Sequence, residues 1–160
     1  MSARIIDNSR VCLADVLNEV APSFDELSIA TGYWDLPGLQ TIIGSIRQYK
    51  SIRLLIGQEP LPPSYAKALN INNLDETFPE AQFVASLESL EHRNDLRELV
   101  IEVKKLIADG KMAVKVYRGN FLHAKTYIFG SFLSEKAIGI IGSSNFTHAG
   151  LTRIIEPVSY

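Results

Sequence analysis

Three side chains with the chemistry to attack a phosphate ester lie in the last third of this sequence. His123 and Lys125 stand two residues apart in the apolar run FLHAKTYIF, and Asn145 follows in the turn-forming run Gly142 to Asn145. Side chains at i and i+2 of a strand project to the same face, so we expect His123 and Lys125 to point into one site. An imidazole nucleophile beside an ammonium and an amide donor provides the groups that metal-free attack on a phosphodiester needs.

These residues, in this order, resemble the HKD motif of the phospholipase D superfamily. The motif is His-x-Lys, four residues, Asp, about six residues, and Gly-Ser-x-Asn. The runs FLHAKTYIF and AIGIIGSSNFTHAGL are most similar to the phospholipase D-like nuclease domains of bacterial helicases and restriction-type proteins. A looser similarity extends to SIATGYWDLPGLQTI and SIRLLIG. The resemblance implies a metal-independent phosphodiesterase, a hydrolase whose substrate is nucleic acid, DNA rather than RNA.

The sequence departs from this motif in one residue and one spacing. Gly130 stands where the family has its aspartate, and eleven residues separate it from Gly142, about five more than in the family pattern. In the family that aspartate resembles a supporting residue rather than the nucleophile. We therefore expect its loss to alter the surroundings of the site more than the reaction, and Glu135 in the added loop is a candidate substitute. The match resumes at Glu156, eleven residues after Asn145, where family nucleases carry a glutamate.

The resemblance assigns roles to the matching residues. His123 would attack phosphorus and carry a phosphohistidine intermediate. Lys125 and Asn145 would donate hydrogen bonds to the non-bridging oxygens, and Glu156 would orient the imidazole. Four further residues are candidates for binding the substrate: Ser143, Ser144, Arg118 and Tyr33. Arg118 is equally explained as a turn residue, and Tyr33 could stack on a base or pack at the end of a strand. No cofactor and no metal are implied.

The superfamily reaction uses two histidines, one as nucleophile and one to protonate the leaving oxygen. This chain contains a single motif, so the resemblance implies a homodimer in which two copies meet at the active-site face about a two-fold axis. A helicase domain in the full-length chain is also expected. Two alternatives remain open: a non-catalytic nucleic-acid-binding or dimerisation domain of a helicase or restriction protein, and a phospholipid phosphodiesterase, because the same motif serves phospholipases.

Composition describes an ordinary globular chain. Its 160 residues, 46% of them hydrophobic, suit a single domain. We expect residues 1–160 to form one phospholipase D-like domain, a fragment of a longer protein, because a last predicted strand reaches almost to Tyr160. Cys12 is the single cysteine, which excludes an internal disulfide, and no apolar run approaches the about 20 residues of a membrane span. The expected location is cytoplasmic.

Charge is unevenly distributed along the chain. The net charge is −2, which argues against a general coat for nucleic acids. Acidic residues dominate from 75 to 102, and basic residues dominate from 104 to 125. The basic stretch could form a positive entrance to the site. Alternatively, Lys104 and Lys105 could complement the dipole at the end of a helix. His148 could line the site or lie exposed on a helix, and His92 is expected on the surface.

The hydrophobic pattern alternates helix and strand and predicts an α/β fold, a mixed β-sheet flanked by α-helices on both faces. Helices are predicted at 11–20, at 36–48 with Asp35 as cap and Pro37 in the first turn, and at 81–109 ending at Gly110. Strands are predicted at 26–31, 51–56, 114–117, around His123, at 137–141 and at 154–159. Strand 114–117 and the His123 strand are expected to form a hairpin through Gly119 and Asn120. Strand 137–141 is expected to be covered on both faces.

Overall fold

The computed structural model describes residues 6, 10–57, 96–117, 122–131 and 136–152. Within them the strands are β1 (Glu26–Thr31), β2 (Ser51–Gly57), β3 (Met112–Tyr117), β4 (Lys125–Phe129) and β5 (Ile138–Ile141). The helices are α1 (Leu13–Val20), α2 (Leu36–Ile46), α3 (Arg97–Ala108) and α4 (His148–Thr152), with a short 3₁₀ turn at Ala21–Ser23. None of these helices is long and apolar enough to cross a membrane.

The five strands form one mixed sheet in the order β3-β2-β1-β4-β5. Strands β1, β2 and β3 are parallel, β4 is antiparallel to β1, and β5 is antiparallel to β4. As a result β1, β2, β3 and β5 all end at the edge of the sheet where β4 begins. We call this the carboxyl edge. The predicted α/β class with a mixed sheet is confirmed.

One face of the sheet carries the hydrophobic core. Alternate strand residues such as Leu27, Leu54 and Phe129 are buried against apolar residues of the helices, including Leu39 of α2 and Val103 of α3. Burying one such side chain stabilises the fold by about 1.5–3 kcal/mol. The helices of the described residues therefore pack on one face, and the predicted flanking of both faces by helices is not confirmed. No helix of the described residues packs against the second face of the sheet. The second face of the sheet has a shallow concavity of about 480 Å³. It is lined by Ser28, Ile29, Ala30, Arg53, Leu54, Leu55, Ala113, Lys115, Thr126 and Ile128.

Local signals placed the ends of two helices correctly. The Asp35 carboxylate accepts a hydrogen bond from the Gly38 amide at 2.6 Å, and α2 begins at Leu36 with a proline in its first turn. Helix α3 ends before Gly110, whose φ of 69° only glycine adopts at little cost. The part of the predicted helix before residue 96 and the predicted strand 154–159 lie outside the described residues.

The predicted hairpin between β3 and β4 is wrong. Strand β3 pairs in parallel with β2 at one side of the sheet, whereas β4 pairs with β1, so two strands separate them. The reason is that α3 precedes β3 and packs on the core face, as the crossover of a parallel pair must. Alternating apolar residues indicated two strands correctly but carried no information on their neighbours. The proposed turn residues, Gly119 and Asn120, lie outside the described residues.

The expectation that residues 137–141 are covered on both faces is also wrong. Strand β5 lies at the side of the sheet, where Ile138 is 42% exposed and Ile141 is 82% exposed. Among its apolar side chains, Ile140 packs against the core. A continuous apolar run is typical of a central parallel strand, but here the run belongs to a strand with one neighbour among the described residues.

Candidate active site

His123 and Lys125 both lie at the carboxyl edge, but in different environments. Strand β4 begins at Lys125, opposite Thr31 of β1, and His123 lies just before the strand. The His123 side chain is exposed, whereas Lys125 is only 6% exposed. The Lys125 ammonium donates to the backbone carbonyl oxygen of His123 at 3.4 Å. The structure thus brings the two residues together, with the imidazole at the rim and the ammonium partly enclosed.

Two glycines make room for the backbone that carries His123. The Gly32 amide donates to the Ala124 carbonyl oxygen at 3.0 Å. A Cβ atom built on Gly32 or Gly57 would lie 2.9 or 3.0 Å from the Leu122 carbonyl oxygen. Because real side chains rarely approach a backbone so closely, glycine at the ends of β1 and β2 lets residues 122–124 cross the carboxyl edge. The strands predicted at 26–31 and 51–56 end directly before these two glycines, but nothing local in the sequence indicates the close approach of residues 122–124.

Residues 142–146, which we call the motif loop, are held to the sheet by hydrogen bonds on several sides. The Gly142 amide donates to the Lys125 carbonyl oxygen at 3.1 Å. The Tyr127 hydroxyl donates to the Ser144 carbonyl oxygen at 3.1 Å. Burial raises the pKa of Tyr127, so this phenol stays protonated as a donor at neutral pH. The fully buried Phe146 ring packs edge-on against Tyr127 with 6.1 Å between ring centroids.

Asn145 is oriented by the backbone that directly follows β1. Its side-chain Oδ1 accepts a hydrogen bond from the Tyr33 amide at 3.3 Å. A Cβ atom built on Gly32 would lie 3.5 Å from that oxygen and 4.0 Å from the His123 Cα, so the Asn145 side chain and the His123 backbone both lie close to Gly32. Because a backbone N–H can only donate, the oxygen of the amide must face Tyr33. The Nδ2 donors then face away from Tyr33, as required to bind an anionic oxygen.

Asp35 joins the motif loop to α2. Its Oδ1 accepts from the Gly38 amide and, at 2.9 Å, from the His148 amide, so one carboxylate caps the starts of both α2 and α4. The sequence indicated the first cap but not the second, since residues 113 positions apart carry no local signal. His148, for which an exposed position on a helix was one expectation, begins α4. The His148 amide at its start is taken by Asp35.

The remaining sequence candidates have mixed outcomes. Ser143 is exposed next to the site, and Ser144 is half-buried with its carbonyl oxygen held by Tyr127. Tyr33 is 45% exposed at the end of β1, so its ring is accessible at the rim. The His148 side chain is exposed. Four candidates lie outside the described residues: Arg118, Glu156, Glu135 and His92.

Gly130 lies at the opposite edge of the sheet from this site. Its φ is 97°, and a Cβ atom there would lie 2.6 Å from the Lys136 carbonyl oxygen. Five residues of extended strand separate it from Lys125, about 17 Å at roughly 3.4 Å per residue. The glycine is therefore required by the turn after β4. A carboxylate at position 130 would be strained and could not reach the site.

The basic stretch does not surround the candidate site. Lys105 lies in the last turn of α3, and Lys111 directly precedes β3, so both are near the edge opposite to His123. The exposed Lys115 lies on the second face of the sheet. These positions favour the helix-dipole interpretation for Lys105. Lys105, Lys111 and Lys115 therefore do not contribute to the positive entrance that the basic stretch could have formed, and Arg118 lies outside the described residues.

No group of three or more His, Cys, Asp or Glu side chains is close enough to hold a metal ion in the part of the chain that the structure describes. No protein-family model matches this sequence, and no curated protein is significantly similar to it.

Proposed function

We propose that this chain is a metal-independent phosphodiesterase of the phospholipase D type, a nuclease that cleaves nucleic acid through a phosphohistidine intermediate. One observation carries the proposal. His123, Lys125 and Asn145 come from two separate segments of the chain and lie at the same carboxyl edge, where the Asn145 Oδ1 is taken by the Tyr33 amide and leaves the Nδ2 donors for another partner. The cytoplasmic location is proposed from the single cysteine and the lack of a long apolar run in the sequence, and the preference for DNA from the resemblance to nuclease domains.

In the proposed reaction, an imidazole nitrogen of His123 attacks phosphorus as the bond to the leaving oxygen breaks. A second histidine donates the proton that the leaving oxygen takes. Water then attacks the phosphohistidine and releases the phosphate product. Lys125 and Asn145 stabilise the negative charge on the non-bridging oxygens. Because Lys125 is nearly buried, its charge acts through a medium of lower dielectric constant than water and stabilises that charge more strongly.

The second histidine is proposed to come from another copy of this chain. His123 is exposed at the rim, so a two-fold axis passing close to it can bring two imidazoles to one phosphate. Antiparallel pairing of two β5 strands would not do this. The middle of β5 pairs with Tyr127 and Ile128, about 15 Å along the strand from His123, which would place the two imidazoles at least about 30 Å apart. The interface must therefore include the carboxyl edge itself.

The test of the activity is incubation of the protein with supercoiled plasmid and with a chromogenic phosphodiester, both in excess chelator. We expect cleavage of both substrates, and none by His123→Asn. Loss of activity in chelator that magnesium or zinc restores would overturn the phosphohistidine mechanism. Binding of plasmid without cleavage would support the non-catalytic alternative. Hydrolysis of phospholipid vesicles with an intact plasmid would support the lipid enzyme.

The composite site is tested by mixing subunits and by structure. Co-purified His123→Asn and Lys125→Ala subunits share one site, so we expect them not to regain full activity. Full recovery would mean that each subunit works alone. A dimer whose His123 side chains lie more than roughly 10 Å apart would also contradict a shared phosphate, since attack requires a distance of about 3–3.5 Å.

A further inference from the structure

Thr31 is a fully buried polar residue at the end of β1, in register with Lys125 of β4. Its hydroxyl donates to the Tyr33 carbonyl oxygen at 2.6 Å and accepts from the Phe146 amide at 3.0 Å. One side chain in the core thus bonds both to the strand end that orients Asn145 and to the residue that follows Asn145. A buried hydroxyl with both a donor and an acceptor partner is conformationally restricted.

Tyr33 is held at both of its backbone polar groups by this arrangement. Its amide donates to the Asn145 Oδ1, and its carbonyl oxygen accepts from the Thr31 hydroxyl and, at 3.2 Å, from the Phe146 amide. These bonds close a small ring through Tyr33, Asn145 and Phe146. The Thr31 hydroxyl is bonded to two members of this ring, the Tyr33 carbonyl oxygen and the Phe146 amide. The direction of the Asn145 amide group therefore depends on where Thr31 holds the two backbones.

A second buried hydroxyl acts on the other side of Asn145. The Tyr127 phenol, on the same face of the sheet as Lys125, donates to the Ser144 carbonyl oxygen. The residues before and after Asn145 are thus each bonded to a hydroxyl that rises from the core. The backbone of the motif loop is held on both sides of the one side chain that must point at the substrate.

We infer that Thr31 and Tyr127 are positioning residues: their buried hydroxyls hold Ser144 and Phe146 and so direct the Asn145 amide donors towards the phosphate. This inference rests on the proposed function of Asn145. Neither hydroxyl touches the substrate. A displacement of a transition-state donor by about 1 Å can lower a rate by about a hundredfold, so the effect should appear in kcat.

The experiment compares Thr31→Val, Thr31→Ser and Tyr127→Phe with wild type. Valine has the shape of threonine but no hydroxyl, and the Phe146 amide keeps its bond to the Tyr33 carbonyl oxygen, so we expect the fold to survive. Thr126→Val is the matched control, because Thr126 neighbours Lys125 but lies on the second face of the sheet. Steady-state kinetics on the chromogenic phosphodiester and NMR spectra of the side-chain amide of Asn145 are recorded for each.

We expect Thr31→Val to lower kcat by about tenfold to a hundredfold with KM changed less than about threefold. Thr31→Ser should recover kcat to within about threefold of wild type, and Tyr127→Phe should fall between them. The two Asn145 side-chain NH₂ signals should be dispersed in wild type and move towards their free-amide values in Thr31→Val. Thr126→Val should match wild type in both measurements.

A wild-type kcat in both Thr31→Val and Tyr127→Phe, or unchanged Asn145 signals in both, would overturn the inference. An increase in KM alone would also overturn it, because that would make the hydroxyls part of binding. If wild type hydrolyses no phosphodiester, the proposed function fails, whereas the Asn145 signals still decide whether the hydroxyls position this side chain. If Thr31→Val does not fold, Tyr127→Phe still removes one of the two buried hydroxyls and decides the inference through its kcat and its Asn145 signals, with wild type and Thr126→Val as references.

Discussion

The two ends of β4 carry opposite parts of the motif. At the carboxyl edge, the strand begins with the nearly buried Lys125, next to the exposed His123 and the oriented Asn145. At the other edge it runs into Gly130, whose amide donates to the Glu26 carbonyl oxygen at 2.9 Å and whose φ is 97°. The first end is arranged around side chains that can bind an anion, and the second around a turn that excludes a side chain.

Within one contiguous stretch of sequence, the residues with candidate chemical roles are therefore distinct from the residue that shapes the turn. Because β4 is extended, position 130 lies about 17 Å from Lys125, and a residue there can influence the reaction only through the fold. In this chain the turn after β4 needs a backbone conformation that aspartate adopts at a cost. The missing aspartate therefore gives no reason to doubt the residues at the carboxyl edge.

The largest expected effect is that of His123→Asn. Asparagine is polar but cannot form the phosphoenzyme, so phosphodiester hydrolysis should fall by at least about a thousandfold, a barrier increase of about 4 kcal/mol. Because His123 is exposed, the unfolding temperature should stay unchanged. His148→Asn, at another exposed histidine near the motif, is the matched control and should keep wild-type activity. Residual activity of His123→Asn within about tenfold of wild type would remove His123 from the nucleophile role.

Lys125→Met should separate activity from stability at the same end of β4. Loss of the ammonium should lower kcat about a hundredfold or more. Methionine avoids the cost of burying a charge, so the free energy of unfolding should rise by about 1 kcal/mol. Chemical denaturation and kinetics measure the two effects. Lys115→Met, at an exposed lysine on the second face, should change neither. A loss of stability in Lys125→Met would mean that the ammonium is a structural group.

Asn145→Asp tests the orientation of the amide. Aspartate still accepts the Tyr33 N–H, so the unfolding temperature should change by less than about 4 °C. The substitution removes the donor and adds negative charge where a phosphate oxygen must bind, so kcat should fall about a hundredfold. Kinetics and thermal unfolding check both expectations. Full activity would show that the amide oxygen, rather than Nδ2, faces the substrate side.

The smallest effect on activity is expected at the far end of β4. Gly130→Ala and Gly130→Asp should each lower the free energy of unfolding by about 1–3 kcal/mol, since both put a Cβ atom at positive φ against the Lys136 carbonyl oxygen. The activity of the folded protein should remain at the wild-type level. Gly139→Ala is the control, because nothing lies within 4 Å of a Cβ atom built there. An increase in kcat for Gly130→Asp alone would show that the carboxylate does act on the site.

Local sequence signals predicted most of the helices and strands and identified the candidate residues. Alternating apolar residues predicted β1 and β2, Asp35 and Pro37 predicted the start of α2, and Gly110 predicted the end of α3. Each of these signals acts within a few residues, and the physical forces behind them act over the same range. The His-x-Lys and Gly-Ser-Ser-Asn runs were recognisable because each of them also lies within a few consecutive residues.

Which elements are neighbours, and what surrounds each side chain, depends on contacts between distant parts of the chain. The predicted β3–β4 hairpin was wrong because an alternating pattern indicates which side chains are apolar but not which strand lies beside them. Three contacts at the site join residues more than 90 positions apart. They are the pairing of Lys125 with Thr31, the second cap made by Asp35, and the bond from Tyr33 to Asn145. Contacts of this kind form only when the parallel crossover through α3 and the glycines at the carboxyl edge have set the strand order.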